Sequence, residues 1–199
     1  MRGWSTRELV TLAVFGALWG AAELTLGAVL HTLRLPFAGL LMSAVGMLVV
    51  LTGYRFVPRR GTVLTVALVS ALLKAFSLGS IVLSPMLAIL AEALLAELGL
   101  ALAGGRPHRG PLVLAGALGV LWAFGHPFVA QGLLAGRGMV EVYRRTLEAG
   151  SRLLHLDPHA VPIIVLALVV LHAAAGAVAG LLAYSLGRQL SRRLQAGAE

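Results

Sequence analysis

The chain holds a single lysine, Lys74, in the stretch SALLKAFSLG, inside a run that is otherwise apolar or small, while all fifteen arginines lie elsewhere. Glu23, Glu92, Glu97, His126, Gln131 and His172 interrupt apolar runs in the same way. An ammonium group among aliphatic side chains has two uses. It pairs with a carboxylate and fixes helix packing, or it lines a wet pocket and meets a polar solute. Glu92 is the first carboxylate the spacing offers to Lys74, and Glu23 the second. His126, in WAFGHPF, suits a ligand or a backbone carbonyl freed by Pro127. Trp122 and Phe124 beside it suit stacking on a heterocycle, or packing against lipid and core. His172 and Glu97 fit hydrogen bonds between helices.

Other chemistry lacks its residues. The chain has no cysteine, which removes disulfides, thiolate metal sites and thiol catalysis. It has no G-x-S-x-G, no H-E-x-x-H, no phosphate-cradling G-x-x-x-x-G-K and no carboxylate cluster for magnesium, so no enzyme is expected. LAGGRPHRGP is glycine-rich but follows no strand. Of His31, His126, His155 and His159, only the last two have helical spacing, and Pro158 stands between them; no metal or other cofactor is expected.

These residues are carried by long apolar runs. The chain is 59% hydrophobic and 12% charged, with a mean hydropathy of +0.92, the composition of an integral membrane protein. Runs long enough to cross a bilayer occur at about 9–31, 38–54, 62–80, 83–103, 112–135 and 160–187. SLGSIVLSP, with Pro85, divides what would otherwise be one helix far too long for a single crossing. The expectation is an all-α bundle of six transmembrane helices forming one domain over 1–199. The arginines sit in short clusters between the runs, which is how topology signals look and not how nucleic-acid surfaces look. Arg2, Arg7, Arg55, Arg59, Arg60, Arg106, Arg109, Arg188, Arg192 and Arg193 fall on one side, placing both termini in the cytoplasm of a multi-pass plasma-membrane protein. On the other side, 138–156 spaces Met139, Tyr143, Leu147 and Leu154 as an amphipathic helix, either capping the bundle or resting on headgroups.

Counting helical rise brings Glu23, Lys74, Glu92, Trp122, His126 and Gln131 toward the outer half, with His31, Ser77, Ser80 and Ser84 near the same end. The first six, Glu23, Lys74, Glu92, Trp122, His126 and Gln131, are the expected substrate-binding set. In helix one, AVFGALWGAAELTLGA places Ala13, Ala17 and Ala21 one turn apart, with Gly16 and Gly20 beside them. Such a smooth face suits either a partner's backbone or a neighbouring helix of the same chain.

Taken together, the six runs, the polar outer half, the long fifth connection and the Ala-xxx-Ala face resemble the S-components of energy-coupling factor transporters. The likeness is nearest to the thiamine or hydroxymethylpyrimidine type, through GYRFVPRRGTVLTVALVSALLK followed by GSIVLSPMLAILAEALLAELGL, and it spans helices one to four. The resemblance implies a substrate-capturing subunit for a vitamin or vitamin precursor. It also implies docking through Ala13, Ala17 and Ala21 to a transmembrane coupling subunit with ATPase subunits, the substrate being capped by the first, third and fifth connections. Where the thiamine type carries an acidic residue this chain has Lys74, which shifts the expectation from a cationic vitamin to a carboxylate-bearing or electron-rich one. A stand-alone carrier or channel is the alternative, disfavoured by the lack of a visible inverted repeat.

Overall fold

The computed structural model describes residues 3–33, 35, 37–76, 83–134, 136, 138–157 and 159–196. Among them there are helices and no strands: α1 (Thr6–Thr32), α2 (Ala38–Phe56), α3 (Thr62–Ala75), α4 (Leu83–Leu102), α5 (Arg109–Pro127), α6 (Met139–Leu154) and α7 (Val161–Ala196). α5 runs on into a π-helical stretch, Phe128–Leu134. The break falls at Pro127, which has no N–H to donate and crowds the carbonyl one turn back, so the ladder resumes with wider spacing.

Five helices (α1, α2, α4, the continuous Arg109–Gly132 segment and α7) are long and apolar enough to cross a bilayer. The third run differs from the expected 62–80. α3 has 14 residues, about 21 Å at ~1.5 Å per residue, against a hydrocarbon core of about 30 Å. Ser77 and Ser80, named with the polar set, lie outside the described residues, as does the side chain of His31. α7 differs in the other direction, reaching nine residues past the expected 187 to Ala196.

The outward surface is aliphatic: Val10, Val14, Leu18, Leu72, Leu94, Leu98, Leu166 and Val170 are all exposed. In water such a belt would be a liability; in a bilayer it is the solvated surface. The core between the helices holds Trp19, Met47, Val50, Leu51, Val63, Val66, Leu112 and Val120. Glycine sets the closest approaches. Gly116 of α5 and Gly176 of α7 lie backbone to backbone, and Gly180 meets Leu112 in the same way, so no side chain fits between them. Trp19 of α1 lies flat over Gly46 of α2, where a Cβ would come within 2.5 Å of the indole.

α6 is amphipathic, and its most deeply packed residues are not the large apolar ones. Val142, Gly150 and Ser151 are buried, while Met139 and Tyr143 are exposed. Without a side chain Gly150 admits Ile164 and Leu168 of α7 against the helix backbone, while Leu147 and Leu154 of the bulkier stripe are half-buried and Met139, though exposed, rests on Gly132.

The two ends of the bundle differ. At one, called here the arginine end, Tyr54 donates to Gly105 O (2.6 Å), and Arg59 bonds Gly3 O (3.2 Å) and Glu8 (3.1 Å) while covering the Trp4 ring. Ser5 and Glu8 form a reciprocal capping box at the start of α1. At the other, the polar end, α1, α3 and α5 finish and α2, α4 and α7 begin.

Candidate polar site

Lys74 stands in the last turn of α3, where its stem follows the helix and its head reaches α1. Its Nζ lies 3.5 Å from Glu23 Oε2 and donates to the Glu23 backbone carbonyl at 3.2 Å. The partner is therefore Glu23 and not Glu92, the first carboxylate the spacing offers. α1 and α3 pack directly, with Gly16 and Gly20 of α1 receiving Val69 and Leu73 of α3, and this brings the two residues face to face. The two side chains are 14% and 13% exposed, so the pair is sheltered without being sealed.

Glu92 is buried on α4 and takes a hydrogen bond from the Ser43 hydroxyl of α2. The same segment of α2 also reaches toward Glu23. Met42, next to Ser43, reaches the same neighbourhood: a Cβ at Gly27 would touch both Glu23 Oε2 at 3.7 Å and Met42 Cε at 3.8 Å. Four helices thus contribute to one polar region.

α5 supplies a second group. His126 Nε2 lies 3.1 Å from Ser84 Oγ of α4, so the freed carbonyl of the proline break is not its partner there. Trp122, one turn earlier, has its ring centroid 6.2 Å from the imidazole. Trp122 Nε1 and His126 Nδ1 are buried with no acceptor or donor partner. Phe124 packs instead on His172 of α7, centroids 5.7 Å apart, with Phe37 on the imidazole as well. Phe124 is thereby a core contact. His172 bonds the Leu168 carbonyl of its own helix at 2.7 Å, not a neighbouring helix. Gln131 lies in the π-helical stretch beyond His126.

Buried polar atoms without partners concentrate here. Besides the two on α5, Ser70 Oγ is unsatisfied one turn below Lys74. Trp19 Nε1, one turn below Glu23, is likewise buried with no hydrogen-bond partner. Native interiors leave few such atoms, and each asks for a water, an ion or a ligand. Ser43, Ser70 and Trp19 carry no motif; Ser70 and Trp19 each stand one helical turn before an ionisable residue, a signal in the sequence that Ser43 lacks.

No family model, no curated protein and no solved structure matches this chain. Its chemistry is read from its own residues.

Glu97, His155 and His159, which the sequence sets apart from the pocket, lie away from it. Glu97 belongs to the arginine end, where its Oε1 accepts the Val63 N–H at 2.9 Å and caps the start of α3, which has only Gly61 at its N-cap. It is a bond between helices, made to backbone. His155 and His159 are exposed beside α6. The two small-residue faces of α1 separate cleanly: Gly16 and Gly20 are buried against α3, while Ala13, Ala17 and Ala21 are all exposed.

Proposed function

We propose that the chain is the substrate-capturing membrane subunit of an energy-coupling factor type importer, taking up a vitamin or vitamin precursor at its polar end. The observation that carries the reading is the gathering of Glu23, Lys74, Ser43, Glu92, Ser84, Trp122 and His126 from five helices into one end of an otherwise apolar bundle. Ionisable groups at such depth are costly, and the unsatisfied nitrogens of Trp122 and His126 add to that cost. A bound polar solute accounts for both. Gln131 completes the set on α5. Because Glu23 balances Lys74, the pocket offers both signs of charge, which fits a solute with donors and acceptors better than a simple anion.

In this reading the chain crosses the plasma membrane six times, with α3 as the short crossing, and keeps both termini in the cytoplasm. The exposed Ala13, Ala17 and Ala21 face of α1 is the surface for the transmembrane coupling subunit, and ATPase subunits supply the energy the chain has no motif to extract. The test is affinity purification of the tagged chain from its own membranes in mild detergent. A membrane subunit and ATPase subunits should copurify in fixed proportion, and ATP hydrolysis should respond to substrate. A solitary protein that still moves solute in vesicles would replace this reading with a stand-alone carrier.

A further inference from the structure

At the arginine end, far from the polar site, two guanidiniums share one tyrosine ring. Arg55 Cζ of α2 lies 4.5 Å from the Tyr184 centroid and Arg109 Cζ of α5 lies 5.3 Å from it. The ring attracts each cation, but the cations repel one another. No carboxylate lies within salt-bridge distance of either arginine among the described residues. The neighbouring Arg59 shows the contrast, since Glu8 neutralises it.

Arg55 is held in place without being used up. Its Nη1 donates to Pro107 O at 2.7 Å, its only hydrogen bond here, and its Nε is buried with no acceptor. The stem crosses Gly187 of α7, where a Cβ would come within 2.6 Å of Cδ, so glycine leaves the room that the side chain occupies. Pro107 stands two residues before the start of α5, which puts the guanidinium beside that helix end. The end itself is positive and open: His108 makes no side-chain cap and the first turn holds no acidic residue. A held guanidinium, an exposed one and an uncapped helix start therefore converge with no protein anion to answer them.

Depth selects the ligand. Tyr184 is the twenty-fourth residue of α7, about 34 Å along a helix of ~1.5 Å rise, past a hydrocarbon core of about 30 Å. That is headgroup level, where tyrosine and arginine meet lipid phosphate, and basic pockets between helices hold anionic headgroups.

We propose that Arg55, Arg109 and the start of α5, arranged around Tyr184, bind a phosphate group, supplied by an anionic phospholipid of the adjoining leaflet. The full chain, purified in neutral detergent, is titrated with phosphatidylglycerol, with phosphatidylcholine and separately with inorganic phosphate, reading the melting temperature and the lipid retained in native mass spectra. Phosphatidylglycerol should stabilise the protein and be retained in preference to phosphatidylcholine. Arg109→Gln, at an exposed side chain, should weaken that preference about fivefold, the weight of one basic residue at an anionic surface, and Arg55→Gln with Arg109→Gln should weaken it roughly 25-fold. Inorganic phosphate acting as strongly, with the same dependence on the arginines, would support the phosphate site and name a free anion as its source. A preference for phosphatidylglycerol unchanged in Arg109→Gln and in the double variant would overturn the proposal. If the double variant does not fold, the single variant decides.

Discussion

Where α5 crosses α7, three glycines let two backbones touch with no side chain between them. Where α1 meets α3 and α2 meets α4, the contacts include Glu23 with Lys74 and Ser43 with Glu92, with unsatisfied groups one turn from the first pair. Both regions join neighbouring helices. The seam does so through close packing, the cheapest adhesive available among lipids, where hydrogen bonds between helices add little. The polar end buries charge that the seam shows to be unnecessary for packing. Buried ion pairs are seldom the most stabilising choice available, and the Glu23–Lys74 pair stands at one end of the bundle.

The comparison breaks first at the seam. Gly176→Val forces a branched side chain into the backbone of α5 and should cost about 3 kcal/mol or more, the upper end of overpacking, read as a fall in melting temperature that substrate does not rescue. Lys74→Ala comes next. It strands the Glu23 carboxylate and should cost about 3 kcal/mol, while adding Glu23→Ala should recover part of the loss; a double-mutant cycle with no coupling would remove the pair from the account. Glu92→Gln keeps an acceptor for Ser43 and should change stability by less than about 1 kcal/mol, yet weaken substrate binding at least tenfold, about 1.4 kcal/mol. Ala17→Leu should leave the isolated subunit within about 0.5 kcal/mol of wild type and abolish copurification of the coupling subunit.

The smallest expected effect lies in α6, outside the membrane-spanning segments. Hydrogen bonds from Arg145 and then Arg144 hold the Glu141 carboxyl below its usual 4.5. A depressed carboxylate stabilises fully above its unfolded value and loses that contribution as pH falls through the lower folded one. Amide protection in α6, corrected for the intrinsic pH dependence of exchange, should therefore fall as the pH drops below about 4, with the seam unaffected.

Much of this arrangement was legible in the sequence. Length and hydropathy located the helices to within a few residues, except where α3 stops at Ala75 and α7 runs on to Ala196. The polar residues were identifiable by type, because an ionisable group in an apolar run is conspicuous. Their pairing was not. Lys74 faces Glu23 because Gly16 and Gly20 seat α1 on α3, a choice between two glycine-bearing and alanine-bearing faces that composition alone leaves open. The deepest contact of α6 was hidden for a similar reason: Gly150 contributes nothing to a hydrophobic stripe, yet it admits Ile164 and Leu168 of α7. Glu97 illustrates the limit for single residues, since its partner is a backbone N–H at the start of another helix, which no spacing rule connects to it.

The central claim, that the polar end holds a solute, is tested most directly by native mass spectrometry of the protein taken gently from its own membranes, alongside Glu92→Gln and Lys74→Ala. The account predicts a vitamin-sized small-molecule adduct on the wild-type chain that is diminished in both variants. A wild-type chain that carries no adduct and gains none when offered vitamins and their precursors would contradict it, and would leave Glu23 and Lys74 as an ion pair that only joins two helices.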